Sequence, residues 1–249
     1  LLPVFPETHA LLQRVGYTGA DYYSLVASMV LETGLLPARD RRARWITDLL
    51  EQKDGLLLGA CTFQGGIDHA YTYGYWLNCL ERDDVKRAIL GFYTSLAYGM
   101  TRETYSGVEV TACRTGENQA TLPHLYSGTQ QLLLLRNMLV WEQGNDLWIG
   151  RAIPRPWLEE GKTIRVDHAP TLFGPVSFTV QSFEGARRIE VEVAPPLKNP
   201  PDHIRLRLRH PEHRAIRSVS VNGAPSGDFR GDTVTLKGAT TPVRVEVRY

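Results

Sequence analysis

The chain has 249 residues, is 43% hydrophobic and carries a net charge of +1, which suits one large globular domain or two ordinary ones. That balance gives no electrostatic footprint for nucleic acid or an anionic membrane, and no apolar run reaches the ~20 residues of a membrane span. Cys61, Cys79 and Cys113 are too few for a disulfide framework and match no metal motif, so they read as small buried hydrophobes. No signal peptide is visible, and the compartment is left open, secreted and periplasmic included.

The first ~140 residues carry helical periodicity. "DYYSLVASMVLETGLL" is mostly apolar and stops at glycine and proline. "ARDRRARWITDLLEQKDG" is amphipathic, with Trp45, Ile46, Leu49 and Leu50 as its apolar stripe and Gly55 as a stop. "DHAYTYGYWLNCLER" follows the double glycine Gly65-Gly66. "DDVKRAILGFYTSLAYGM" opens on two aspartates, where the helix dipole favours negative charge. "LPHLYSGTQQLLLLRNMLVW" has proline at its start. The spacing predicts helices over 19–34, 38–53, 68–81, 83–100 and 123–140. Mostly apolar segments, expected inside, alternate with charged ones, expected outside, as in stacked αα-hairpins.

After Trp141 the period becomes two. "DLWIG", "TIRVDH", "VSFTVQS", "RIEVEV", "HIRLRLR", "SVSV", "TVTLK" and "VRVEVRY" read as short strands split by turn residues. Asn222-Gly223 is a tight-turn signal. Eight strands without helices predict an antiparallel β-sandwich. Arg205, Arg207 and Arg209 share one strand face. They read as a solvated row paired with Glu190 and Glu192, or as a surface for an acidic glycan.

Between the last two helices runs "TYSGVEVTACRTGENQATLPHLYSG", a polar, glycine-punctuated connection holding Glu109, Glu117 and His124. Connections this long in a compact domain are commonly functional. No HExxH, Walker loop or dinucleotide fingerprint is present, so neither a metal nor a cofactor is expected.

The stretches "GGIDHAYTYGYWLNCLERDDVKRAILGFYTSLAYGM", "CRTGENQATLPHLYSGTQQLLLLRNMLV" and "LWIGRAIPRPWLEEGKTIRVDHAPTLFGPVSFTVQS" resemble the C-terminal part of an (α/α)6-barrel, or six-hairpin, glycosidase. The resemblance covers nearly the whole chain. It implies an α+β multidomain protein: a partial (α/α)6 toroid over residues 1–141, then an antiparallel β-sandwich over residues 142–249. Six hairpins need twelve helices and about five are legible, so the expected partner is the remainder of the toroid, upstream of Leu1 or on another chain. The implied activity is hydrolysis of glycosidic bonds in an oligo- or polysaccharide by carboxylate acid/base catalysis. A polysaccharide lyase, or a non-catalytic carbohydrate-binding protein on the same scaffold, is the alternative.

The resemblance places the cleft at the loops before the inner helices. There the candidate catalytic carboxylates are Glu117, Glu109 and Asp68. The candidate sugar-binding groups are His69, Tyr73, Trp76, Asn118, His124, Asp21 and Tyr22, because sugars need aromatic faces and fixed polar partners. Plainer readings stand beside these. Asp68 fits a helix N-cap after Gly66, Glu117 a solvated loop residue, and His124 a backbone partner. Tyr71, Tyr73, Tyr75 and Trp76 cannot all face one side of a helix, so half belong to the core. Arg114 and Arg136 are candidate carboxylate partners, and Arg136, deep in an apolar helix, calls for a buried one.

Overall fold

The structure, a computed structural model, describes residues 22–249; the side chains of residues 22–25 lie outside the description. It is an α+β chain with five helices and three sheets among the described residues. The chain divides into two compact units, with the boundary between Leu135 and Arg136.

The first unit holds α1 (Tyr22–Glu32), α2 (Arg41–Gln52), α3 (Tyr73–Glu81), α4 (Val85–Tyr98) and most of α5 (Leu125–Leu139). In α2 the Asp40 carboxylate accepts the Arg42 N–H at 2.8 Å, a side-chain N-cap, and Ala43, Ile46, Thr47, Leu49 and Leu50 form the buried stripe. Trp45 sits at the edge of that stripe under the Arg41 guanidinium, 4.9 Å from its ring centroid. Helices α1 and α3 approach closely at Gly74, where a Cβ would lie 2.0 Å from the Ser28 carbonyl oxygen. Ser28 and Glu32 flank Gly74, and Asn78 Nδ2 donates to Ala38 O beyond the end of α1. The two helices therefore run in the same direction.

The helix expected from residue 68 begins only at Tyr73. The stretch before it is a small antiparallel sheet of four strands: β1 (Leu56–Leu57), β2 (Ala60–Phe63), β3 (Gly66–Asp68) and β4 (Val110–Ala112). The double glycine is the corner of the β2–β3 hairpin. Gln64 and Gly65 both have positive φ, 50° and 78°, the backbone of a tight hairpin turn. A Cβ at Gly66 would meet Thr111 O at 2.7 Å, so the next strand can close on it only because it is glycine.

Helix α5 departs from its expected burial. Ser127, Gln130, Gln131 and Leu134 are its buried residues in this unit, whereas Leu125, Leu132 and Leu133 are exposed. Gln131 Nε2 donates to Gly99 O, and Ser127 Oγ meets His124 Nδ1 at 2.7 Å. Leu90, Tyr93 and Leu96 of α4 are exposed as well.

The second unit is built from β5 (Val140–Gln143), β6 (Asp146–Ile149), β7 (Thr163–Ala169), β8 (Val176–Phe183), β9 (Arg188–Ala194), β10 (His203–Arg207), β11 (Ser218–Val221), β12 (Ala224–Ser226), β13 (Phe229–Arg230), β14 (Thr233–Lys237) and β15 (Val243–Arg248). All eight segments with period-two alternation form strands. The very short β12 and β13, and β5 fused to the end of α5, carry no such signal. One sheet has the order β13-β14-β10-β6-β5 and the other β12-β11-β15-β9-β8-β7. Inward residues of both sheets, among them Leu147, Phe178, Val191, Leu206, Val234 and Val245, join one buried cluster. The pairing is antiparallel except between β6 and β10, which run parallel, a correction to the all-antiparallel expectation.

The arginine row of β10 also differs from expectation. Glu190 and Glu192 lie on β9 in the other sheet, out of its ladder. Arg205 instead donates to Asp146 at 2.6 Å and Arg207 to Asp232 at 3.2 Å. Arg209 is buried, and its guanidinium donates to Ile153 O. Arg136 does have a partly buried partner: it pairs with Glu142 and also donates to Pro170 O.

Candidate active site

The connection over residues 104–128 forms one wall of a cavity because it folds back on β3. Strand β4 pairs with β3 in the register Asp68↔Val110, and the His69 N–H donates to Glu109 O. The chain then turns and returns. The Ala112 N–H donates to Glu117 O, and the Gln119 N–H to Val110 O. This return brings Gln119, Ala120 and Thr121 round to Glu109. Asp68 and Glu109 line one cavity of about 100 Å³ with Gln64, Tyr71 and Gln119 around them.

The two carboxyl groups sit in opposite environments. Asp68 is buried, 1% exposed, and its Oδ1 accepts the Ala70 N–H at 2.9 Å and the Tyr71 N–H at 2.8 Å. Burial pushes its carboxyl up to about 6 despite those two donors, and the nearby Glu109 charge adds to the rise. Glu109 is more open. Partial burial raises its carboxyl, but the Thr121 N–H, at 3.0 Å from Oε2, the Thr121 hydroxyl and His124 outweigh that and hold it below the ordinary value. His124 Nε2 lies 3.9 Å from Glu109 Oε2, while its Nδ1 is held by Ser127. Tyr126, in the first turn of α5, meets His124 and Tyr71 edge-on, each with centroids 6.4 Å apart.

The other sequence candidates separate. Glu117 is exposed beside the hairpin tip and does not line the cavity. Asn118 holds the hairpin itself, its Nδ2 donating to Ala120 O at 2.6 Å. Trp76 is fully buried and its indole N–H donates to Gly59 O at 2.7 Å, so its ring packs in the core and offers no face to a ligand. Tyr73 is buried on the same helix. His69 is fully buried. Its Nε2 lies 3.4 Å from Thr111 Oγ1, and burial pulls the imidazole down to about 4, which keeps it neutral. Asp68 is not the N-cap of α3. Thr72 holds that position, and Asp68 braces the turn before it. Asp21 lies outside the described residues, as does the side chain of Tyr22. Arg114 is exposed and away from the cavity.

Sequence reasoning missed Glu32. Burial raises its carboxyl above the ordinary value against one opposing donor, the Gly74 N–H, and its Oε1 is buried without a partner. It lies near enough to Tyr126 to raise that phenol as well, second to burial. Its only sequence signal is a carboxylate ending an otherwise apolar segment. The described residues hold no cluster of three or more metal-ligating side chains. A larger concavity of about 530 Å³ lies on the six-stranded sheet between Arg165 and Arg244, with Asp167 and Glu192 among its lining.

No family model matches the sequence, and no curated protein matches it. Among solved structures, the chain is similar to a glycoside hydrolase at 11% identity and a TM-score of 0.34, covering 74% of this chain and 33% of that one. It is also similar to an alpha-L-rhamnosidase from Dictyoglumus thermophilum at 11% identity and a TM-score of 0.39, covering 84% of this chain and 29% of that one. The chain thus spans about a third of the length of these two structures.

Proposed function

We propose that the site hydrolyses glycosidic bonds, with Glu109 as the ionised base and Asp68 as the protonated acid. The observation that carries this reading is the pair itself: two carboxyl groups line one cavity, and their environments push their proton affinities apart. Glu109 keeps its charge through its Thr121 donors and can accept a proton from water. Asp68 holds a proton on Oδ2, the oxygen opposite the one that the Ala70 and Tyr71 N–H groups engage, and can give it to a leaving oxygen. A cavity of about 100 Å³ holds about three waters at ~30 Å³ each. It therefore takes the scissile oxygen and the attacking water, while the sugar rings lie outside it, over Tyr71 and Gln119. Among the described residues the lining includes no lysine or arginine to neutralise a uronate carboxylate, which disfavours the lyase alternative.

The same reading treats the helical unit as part of an α/α toroid. Its support is the exposed apolar residues of α4 and α5, which further helices would cover.

The test is a pH–rate profile on oligosaccharides, with reducing ends counted. Activity should rise as Glu109 ionises below its ordinary 4.5 and fall as Asp68 ionises near 6, so the optimum lies between them. An unsaturated product absorbing in the ultraviolet identifies a lyase. Glycan binding without turnover identifies a binding protein. Either result defeats the proposal.

A further inference from the structure

The helical unit has a second cavity, of about 440 Å³, that shares no lining residue with the first. Arg39, Arg44, Arg82 and Arg87 line it against Asp48 and Glu51, four positive charges and two negative, a net of +2. Both carboxylates already have partners. Glu51 accepts the Tyr75 hydroxyl at 3.0 Å and Arg87 at 3.3 Å, and Arg87 also pairs with Asp84. Asp48 has Arg44 at 3.8 Å. Among the described residues no carboxylate lies within ion-pair distance of Arg39 or Arg82. The Arg82 Nε is buried without an acceptor, and the closest group to its Nη2 is the Cys79 sulfur at 3.9 Å. A buried guanidinium nitrogen left without an acceptor is costly unless something else supplies one.

We propose that this cavity binds a doubly charged oxyanion, phosphate or sulfate, free or carried as an ester on a small organic molecule. Two guanidiniums without carboxylates match two negative charges, and the planar N–H fork of arginine fits tetrahedral oxyanions in pairs of hydrogen bonds. The volume lies in the range of small-molecule sites, so an ester fits as well as the bare ion. The site is independent of the carboxylate pair, and neither proposal needs the other.

The experiment is isothermal titration of the full chain at constant ionic strength with inorganic phosphate, sulfate, glucose 6-phosphate and glucose. Phosphate or sulfate should bind at one site, and glucose should not. Arg82→Gln and Arg39→Gln should each weaken binding tenfold or more, and Arg165→Gln in the other unit should leave it unchanged. Arg39 is exposed in a loop, so Arg39→Gln keeps the test valid if Arg82→Gln fails to fold. A tenfold preference for glucose 6-phosphate over phosphate assigns the site to an ester, and equal affinity assigns it to the free ion. Heat no greater than that of added chloride overturns the proposal. So does unchanged affinity in folded Arg39→Gln.

Discussion

Replacing Asp68 by Asn separates the catalytic from the structural cost of a buried acid. Asn keeps an Oδ1 acceptor for the Ala70 and Tyr71 N–H groups, so the turn before α3 persists. What disappears is the ionisation. The Asp68 carboxyl binds its proton more tightly in the folded chain, at about 6, than at the ordinary 3.8. Wild-type stability therefore falls as pH rises from ~3.8 through ~6, and the loss is complete above that. The difference of about two pH units corresponds to ~3 kcal/mol at 1.36 kcal/mol per unit. Relative to wild type, Asp68→Asn should be favoured by less than ~1 kcal/mol at pH 4 and by ~3 kcal/mol at pH 8, on top of any pH-independent offset. Urea unfolding followed by helical circular dichroism at the two pH values measures this. The change between them should be roughly 2 kcal/mol. Turnover should drop ~10²–10⁴-fold at the same time. A variant whose relative stability does not change with pH refutes the account of Asp68 as a carboxyl kept neutral by burial.

Glu109→Gln should lose ~10²–10⁴-fold in kcat, whereas Glu117→Gln, outside the cavity, should retain nearly full turnover; steady-state kinetics at equal folded fraction decides. Gly74→Ala should destabilise by at least ~2 kcal/mol, because its Cβ would meet backbone and not a side chain able to move. Gly128→Ala, with open space around it in α5, should instead stabilise by ~0.5–1 kcal/mol, and thermal melts of the two variants compare them directly. Arg136→Met leaves the mostly buried Glu142 without its cation and should cost ~2–4 kcal/mol in urea unfolding.

Period and punctuation made most elements legible. The amphipathic stripe of α2 and the alternation of β8, β9 and β15 state which side chains point inward, because burial imposes the period. The four-stranded sheet of the first unit was not legible. Its strands are two to four residues long, too short to show a period, and "QGG" looks the same before a helix as at a hairpin corner. Partner choice was hidden for the same reason. Arg205 and Arg207 announce a charged strand face, but only the sheet order shows Asp146 and Asp232 as their partners. In the site, residue type and loop length singled out Asp68, Glu109 and His124. What separated Glu109 from Glu117 was a β-ladder between segments forty residues apart, and what removed Trp76 was the packing of α4 against its ring at Gly91.

The hairpin carrying Glu109 also divides the labour between its base and its tip. The carboxyl groups are positioned at the base by the ladder to β3, whereas Arg114, Thr115 and Gly116 project at the exposed tip and bear none of that geometry. Doubling a loop of this kind costs only ~0.6 kcal/mol in closure entropy. Insertions at the tip can therefore lengthen the hairpin without shifting Asp68 and Glu109 at its base. This makes residues 113–116 the place at which the chain can take up added length while the ladder stays in register.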